Sequence, residues 1–278
     1  MTTYVVGSGT LDGLQYHRDA NRNVTQRNDA GGSTTSLQDF TYDSLNRLQT
    51  WKLSPGVTTT FAYNKMGNLL TESTNGTPGS TITYRYGEEG APLHALTSRN
   101  GARYTYDAAG RQSSGPDRLV NYNRFGLPTQ LRRDNGVTTD FGYGASGERI
   151  IKRDPSETVI SLGGVFERRI GTNIKNVHYI LADGRPVAQV TRTQTTPNVP
   201  STDPETLYLH SDGYNIVQTT RQNGQVAEEF FYDPFGRRTN NRYEPLPAQR
   251  PNIRLGYTAH AHDDELGLIN MKDASTIP

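Results

Sequence analysis

The sequence predicts an all-β protein, built as a continuous antiparallel meander of β-hairpins. Three observations predict it. A short motif, aromatic-x-Tyr followed by Asp or Asn, two variable residues and Gly, returns along the chain with a spacing near twenty residues. Asn-Gly pairs fall between its copies. Apolar residues never take up a helical period over any sustained stretch.

The motif explains one end of each hairpin. Phe40-x-Tyr42, Phe61-x-Tyr63, Tyr104-x-Tyr106, Phe141-x-Tyr143 and Phe230-x-Tyr232 carry the aromatic pair, with Val120-x-Tyr122, Tyr84-x-Tyr86, Val177-x-Tyr179 and Leu255-x-Tyr257 as fainter copies. Residues two apart share a strand face, so each pair points one way. Runs such as "VTTTF" are strand-prone and make poor helices. An Asp or Asn then bonds its own downstream backbone, and a Gly three residues later takes the left-handed conformation at little cost. Asp43, Asp107 and Asp233 fill the first role, and Gly67, Gly110, Gly126, Gly147 and Gly236 the second. Asn46 replaces Gly in the first strong copy, and Asn is the next best residue there. Twenty-one residues separate Tyr42 from Tyr63, and again Tyr122 from Tyr143; the gap widens to 36 before Tyr179 and is 25 from Tyr232 to Tyr257.

Asn75-Gly76, Asn100-Gly101, Asn135-Gly136 and Asn223-Gly224 close the other end as tight turns. Gly163-Gly164 reads as a bulge. The Pro- and Thr-rich stretch 191–206 and the stretch 241–251 read as surface loops, and the hairpin rhythm resumes after both. The chain is therefore read as one domain over 1–278. It has degenerate repeats at 1–34, regular repeats at 35–190, a loop at 191–206, a distinct end at 207–271 and a divergent tail at 272–278.

Composition sets the limits. The hydrophobic set makes up 32% of 278 residues and mean hydropathy is −0.74. Exchanging the 16 Tyr for the 28 Gly gives about 36%, against the 45–50% of ordinary globular domains. A thick central core is not expected. Disorder is excluded by the abundant Tyr and a net charge of only +1. That charge also argues against a nucleic-acid partner. No apolar run is long enough to span a membrane as a helix. The first residues lack the pattern of an ordinary secretory signal. With no Cys there are no disulfides and no thiolate metal sites.

At "YDSLNRL", "YDPFGRR" and "GYTAHAHDDELGLINM" the sequence resembles the YD-repeat or Rhs family, which includes the Rhs core domain of bacterial polymorphic toxins, the C subunits of insecticidal toxin complexes, and teneurins. The resemblance covers roughly residues 35–271, with a fainter copy at "LQYHRDANRNV". It implies a curved, spiralling hairpin sheet, here a partial hollow shell, which in the toxins encloses a C-terminal toxin domain. It also implies a secreted or cell-surface bacterial protein, exported without an ordinary signal peptide. Two departures stand out. "SDGYNIV" occupies the place of a "DHLGS"-like element. After Met271 the family's next repeat, which carries self-cleaving aspartates, has no counterpart, so self-cleavage and toxicity are not carried over. Roughly twenty strands at ~4.8 Å make a band ~95 Å wide, which closes to a circle only ~30 Å across. A compact 100-residue domain is itself ~30 Å wide, so this chain alone is not expected to enclose one. Its end strands are expected to be open edges, ready to pair with further sheet.

The expected role is a non-catalytic shell segment with no cofactor, a scaffold for a toxin domain, partnered by that domain or by other YD-repeat segments. The alternative is an extracellular module binding glycans or proteins, because aromatic faces suit sugar stacking. The regular phase of the Tyr residues favours wall packing. "HAHDDE" is the sharpest local cluster: His260 and His262 on one strand face, with Asp263 beside them, have the chemistry of a divalent-metal site. A carboxylate-rich turn explains the same residues, and no metal site is assigned. Asp263 and Asp264 point to opposite faces of a strand and do not suit an acid-protease pair.

Overall fold

A computed structural model describes residues 2–6, 9–30, 36–53, 56–75, 80–195, 199, 203–247 and 251–271. The tail 272–278, Gly76, and parts of the two expected loops (196–198, 200–202 and 248–250) lie outside the described residues. The chain divides into two compact units, Met1–Gly126 with Leu131–Gly136, and Leu127–Gln130 with Val137–Pro278.

The first unit is a meander in sequence order. Strands β1 (Thr2–Val6), β2 (Gly9–Arg18), β3 (Val24–Ala30), β4 (Ser36–Tyr42), β5 (Leu48–Leu53), β6 (Val57–Tyr63), β7 (Leu69–Thr74), β8 (Thr81–Tyr86), β9 (Leu96–Arg99) and β10 (Ala102–Arg103) each pair antiparallel with the next. Pairing then breaks between β10 and β11: strands β11 (Thr105–Tyr106), β12 (Gln112–Gly115) and β13 (Arg118–Tyr122) open a second sheet of the same meander kind, and β14 (Pro128–Arg133) is shared between the units. In the second unit β15 (Thr138–Tyr143), β16 (Arg149–Arg153), β17 (Thr158–Leu162), β18 (Phe166–Ile170), β19 (Ile174–Ala182), β20 (Arg185–Gln194), β21 (Glu205–Ser211), β22 (Ile216–Arg221) and β23 (Val226–Glu229) do the same. Two short ladders follow, β24 (Phe231–Tyr232) with β25 (Arg238–Thr239), and β26 (Ala261–Asp263) with β27 (Leu268–Asn270). Helix is confined, among the described residues, to three single 3₁₀ turns.

The motif turn forms as expected. The Asp43 backbone N–H donates to Arg47 C=O at 2.9 Å, and the Asn46 N–H donates to Asp43 C=O at 3.0 Å. The Asp43 carboxylate accepts from the N–H groups of Leu45 and Arg47. The Asn64 and Asp107 turns repeat this pattern, and at the Asn123 and Asp233 turns the same side-chain oxygen takes the N–H two residues on. The pairing register slips by one residue just before Tyr42, Tyr63, Tyr106 and Tyr143, a bulge that re-aims each ring.

Three expectations are corrected. Gly163 and Gly164, at φ 56° and 69°, are the central residues of the tight turn, closed by Val165 N–H to Leu162 C=O at 3.1 Å, that joins β17 to β18, and not a bulge within a strand. The 191–206 loop is shorter than expected, because β20 runs to Gln194 and β21 begins at Glu205. The 241–251 stretch is not all loop. Asn240 closes on Glu244 through the same turn, with Tyr243 in the left-handed position at φ 61°. Tyr243 is buried edge-on against Phe231, with ring centroids 5.8 Å apart, and this packing holds a side chain at the position that Gly fills in most of the other turns.

Burial alternates along the strands, leaving thin apolar cores. Trp51, Thr59 and Phe61 lie inward in the first unit, where Trp51 Nε1 donates to buried Gln38 at 3.0 Å. In the second unit Leu207, Leu209, Ile216 and Ile253 form the main cluster.

Candidate functional site

The repeat is a joint as well as a turn. Tyr42 donates its hydroxyl proton to Val24 C=O, Tyr63 to Leu48, Tyr106 to Leu96, Tyr122 to Gln112, Tyr143 to Pro128 and Tyr232 to Ile216, at 2.6 to 2.9 Å. Every accepting carbonyl belongs to the first residue of the return strand in an earlier hairpin. Each of these phenols therefore ties its own hairpin to the backbone of an earlier one. Burial pushes the phenols of Tyr42, Tyr63, Tyr106 and Tyr122 up in pKa, and that of Tyr232 to about 12.

The Arg or Asn after the turn reaches the other way. Arg47 bonds Asp43 in its own turn at 2.7 Å, then donates to Asn64 C=O in the next turn at 3.0 Å. Its guanidinium sits 4.6 Å from the centre of the Tyr63 ring. Arg111 repeats this with Asp107, Asn123 and Tyr122, the last at 4.9 Å. The Arg47 and Arg111 side chains hold the Asp43 and Asp107 carboxyls below the usual range, helped by the turn N–H groups. Gly67, Gly110, Gly126, Gly147 and Gly236 all have φ between 75° and 89°. Gly236 has a second constraint, since a Cβ there would lie 2.5 Å from the Tyr257 ring.

These contacts leave the Tyr63 and Tyr122 rings covered by Arg and their hydroxyls engaged. They form wall joints, not open stacking platforms. Sequence reading found the residues but not this direction of bonding.

The second site is a buried ion cluster in the second unit. Pairing register aligns Lys152, Val159 and Arg169 across β16, β17 and β18 on one face, with Glu167 two residues along β18. Lys152, Glu167 and Arg169 are all buried. Asp263 of β26 closes over them. Its carboxylate accepts from Arg149 at 2.6 Å, from Lys152 at 2.8 Å, and from Arg254. Lys152 also bonds Glu265, and Arg169 bonds Glu167 at 2.9 Å. Burial works against the Asp263 charge, but Arg149, Arg254 and Lys152 outweigh it and hold the carboxyl far below the usual range. Burial and repulsion from Arg254 lower Lys152 to about 8.

The histidines beside it have other duties. His262 Nε2 accepts the Tyr257 N–H at 3.0 Å, so the ring proton sits on Nδ1 and is donated to Asp264 at 3.2 Å. His260 lies outside β26, and its Nδ1 meets the Thr258 hydroxyl at 2.5 Å. The Thr258 hydroxyl gives its proton to Tyr257 C=O at 2.8 Å, so His260 is the donor in that contact. Among the described residues no group of three or more His, Asp or Glu is arranged to hold a metal. Asp263 and Asp264 turn to separate partners, the first to the cation cluster and the second to His262 and Arg238. The cluster joins positions 111 to 114 residues apart, a link no local motif announces. Its one sequence signal was charge at inward positions of the strongly β-prone stretches "RIIKR" and "FERRI".

The fold is similar to the crystal structures titled TcdB2-TccC3, TcdB2-TccC3-TEV and TcdB2-TccC3-Cdc42, with TM-scores of 0.70, 0.69 and 0.71 and identities of 19%, 18% and 18%. Each comparison covers 94% of this chain but only 15% of the other, so this chain spans a small part of the proteins it resembles. At that identity the likeness is one of fold. No curated protein is detectably similar in sequence. The Teneurin YD-shell family matches residues 17–162, more than half of the chain and the stretch that holds the Tyr–Asp–Arg joints from Tyr42 to Tyr143. By that match, the chain belongs to the Teneurin YD-shell family.

Proposed function

We propose that the chain is a non-catalytic wall segment of a YD-repeat shell in a secreted bacterial toxin system, where it helps to house a toxin domain. The joint carries this reading. Six phenols tie their hairpins backward, and Arg47 and Arg111 tie theirs forward, so these contacts are spent on joining hairpin to hairpin rather than on lining a cleft with reactive groups. The fold likeness to TcdB2-TccC3 structures points to toxin-complex components as the company such a sheet keeps. Its partners in this reading are further YD-repeat sheet and the housed domain.

A graft tests it. The matched 15% of the chain in the TcdB2-TccC3 structure is replaced by this sequence, and the assembled particle is exposed to protease. Continued protection of the housed domain is the expected result. A particle that assembles but leaves the domain open to digestion would refute the wall role.

A further inference from the structure

The turns of the first unit form a laterally bonded row, and the row carries exposed apolar side chains. Asn21 and Asn23 both donate to Asn46, at 3.0 and 2.8 Å, tying the Asp19 turn to the Asp43 turn. Arg47 ties that turn to the Asn64 turn, and Asn68 donates to Leu93 C=O at 3.0 Å. Pro92 lies beside Gly110, and Arg111 reaches Asn123. Successive tips, two strands apart, are therefore spaced ~10 Å.

On this row Leu45 is 65% exposed, Met66 48%, Leu93 68% and Phe125 73%. Leu45, Met66 and Phe125 occupy the same turn position, directly before the left-handed residue. The second unit holds Tyr214 and Phe235, also exposed, next to positive-φ or Asx-turn residues of its own. Three of the five turns of this kind in the row place a large apolar group at that water-facing position, Asn21 and Ala109 filling the other two, and Leu93 adds a fourth exposed apolar tip; together they mark a contact surface.

The charges on the row indicate what it contacts. Arg22, Lys65 and Arg124 are exposed on the turn tips. The acids of the row are turned elsewhere: Asp19, Asp43 and Asp107 hold their own turn N–H groups, and Glu88 and Glu89 pair with Arg85 and Arg103. The tip N–H groups of Leu45, Met66 and Phe125 are already bonded within their turns, so apolar tips can leave water without stranding those donors. Apolar side chains that protrude between cations, on a backbone with satisfied donors, suit an anionic interface. A second copy of the same row would set cation-rich tips against cation-rich tips.

We propose that this tip row docks on an anionic lipid surface, inserting Leu45, Met66, Leu93 and Phe125 while Arg22, Lys65 and Arg124 engage the headgroups. The proposal is independent of the wall role. The full chain is sedimented with phosphatidylcholine vesicles, with and without phosphatidylserine. Binding is expected only with phosphatidylserine, weakening as salt is raised. Replacing the four apolar residues together by Ser, or making R22E, K65E and R124E together, is expected to weaken binding roughly ten-fold or more. All seven residues are exposed, and circular dichroism checks that each variant stays folded. F125W reports insertion directly, through a blue-shifted emission with anionic vesicles. The proposal is overturned if the wild type stays in solution, or if the Ser variant binds as well as the wild type. It is also overturned if the row instead supports a dimer that the Ser variant dissolves.

Discussion

One phenol hydroxyl aimed at one carbonyl recurs six times among the described residues, and its worth can be measured at a single residue. Tyr63→Phe keeps the ring under Arg47 and removes only the bond to Leu48. A loss of about 1 kcal/mol is expected from urea unfolding. Asp263 sits at the other extreme. Asp263→Ala leaves Arg149, Lys152 and Arg254 facing one another in a buried site, and a loss of about 3–5 kcal/mol is expected. The same residue sets an acid limit. Its folded pKa lies far below the unfolded value of about 3.9, so its contribution is complete above that value and fades as pH falls below it. Lys152 acts in the opposite sense at high pH. Its pKa falls from 10.5 to about 8 on folding, so between those values the unfolded chain binds more protons, and this group adds stability as pH rises. Urea midpoints across pH for the wild type and for Asp263→Ala separate the two effects.

At the scale of the hairpin, the left-handed turn position explains both what the sequence revealed and what it hid. Gly67 at φ 89° has open space around its Cα, so Gly67→Ala meets backbone strain and no clash, and a cost of about 1 kcal/mol is expected in thermal or urea unfolding. Asn46, at φ 59°, is different. Its side chain accepts from Asn21 and Asn23, so Asn46→Gly relieves strain but cuts the tie to the previous turn. No gain in melting temperature is expected from that change, in contrast to a simple relief of strain. Turns marked by Asp or Asn and Gly were legible because their chemistry is contained in five consecutive residues. The Asn240 turn was not, because tertiary packing of Tyr243 against Phe231 replaces the Gly signal. Gly163-Gly164 carried too little information, since the same pair serves a bulge or the centre of a hairpin turn.

Across the whole molecule the two units hold their charges differently. The first keeps its ion pairs near the surface, as at Asp43–Arg47 and Asp107–Arg111. The second buries Asp263 with Arg149, Lys152 and Arg254. Hydrogen exchange at pH 7 and pH 2, corrected for intrinsic rates, is therefore expected to show a larger fall in protection over β16 to β19 than over β4 to β7. An equal fall would mean that the buried cluster does not govern acid stability. This division was invisible in composition, where Lys and Arg balance Asp and Glu almost residue for residue. It depends on which distant segments meet, whereas the meander itself depends only on neighbours.

The direction of the Tyr63-to-Leu48 bond has a consequence for inheritance. A hairpin that carries its own hook for the hairpin before it, and an eyelet for the one after, can be duplicated or deleted whole without redesigning either neighbour. Genes of this kind can lengthen or shorten by tandem copying, and their products drift apart in sequence wherever hook and eyelet are kept.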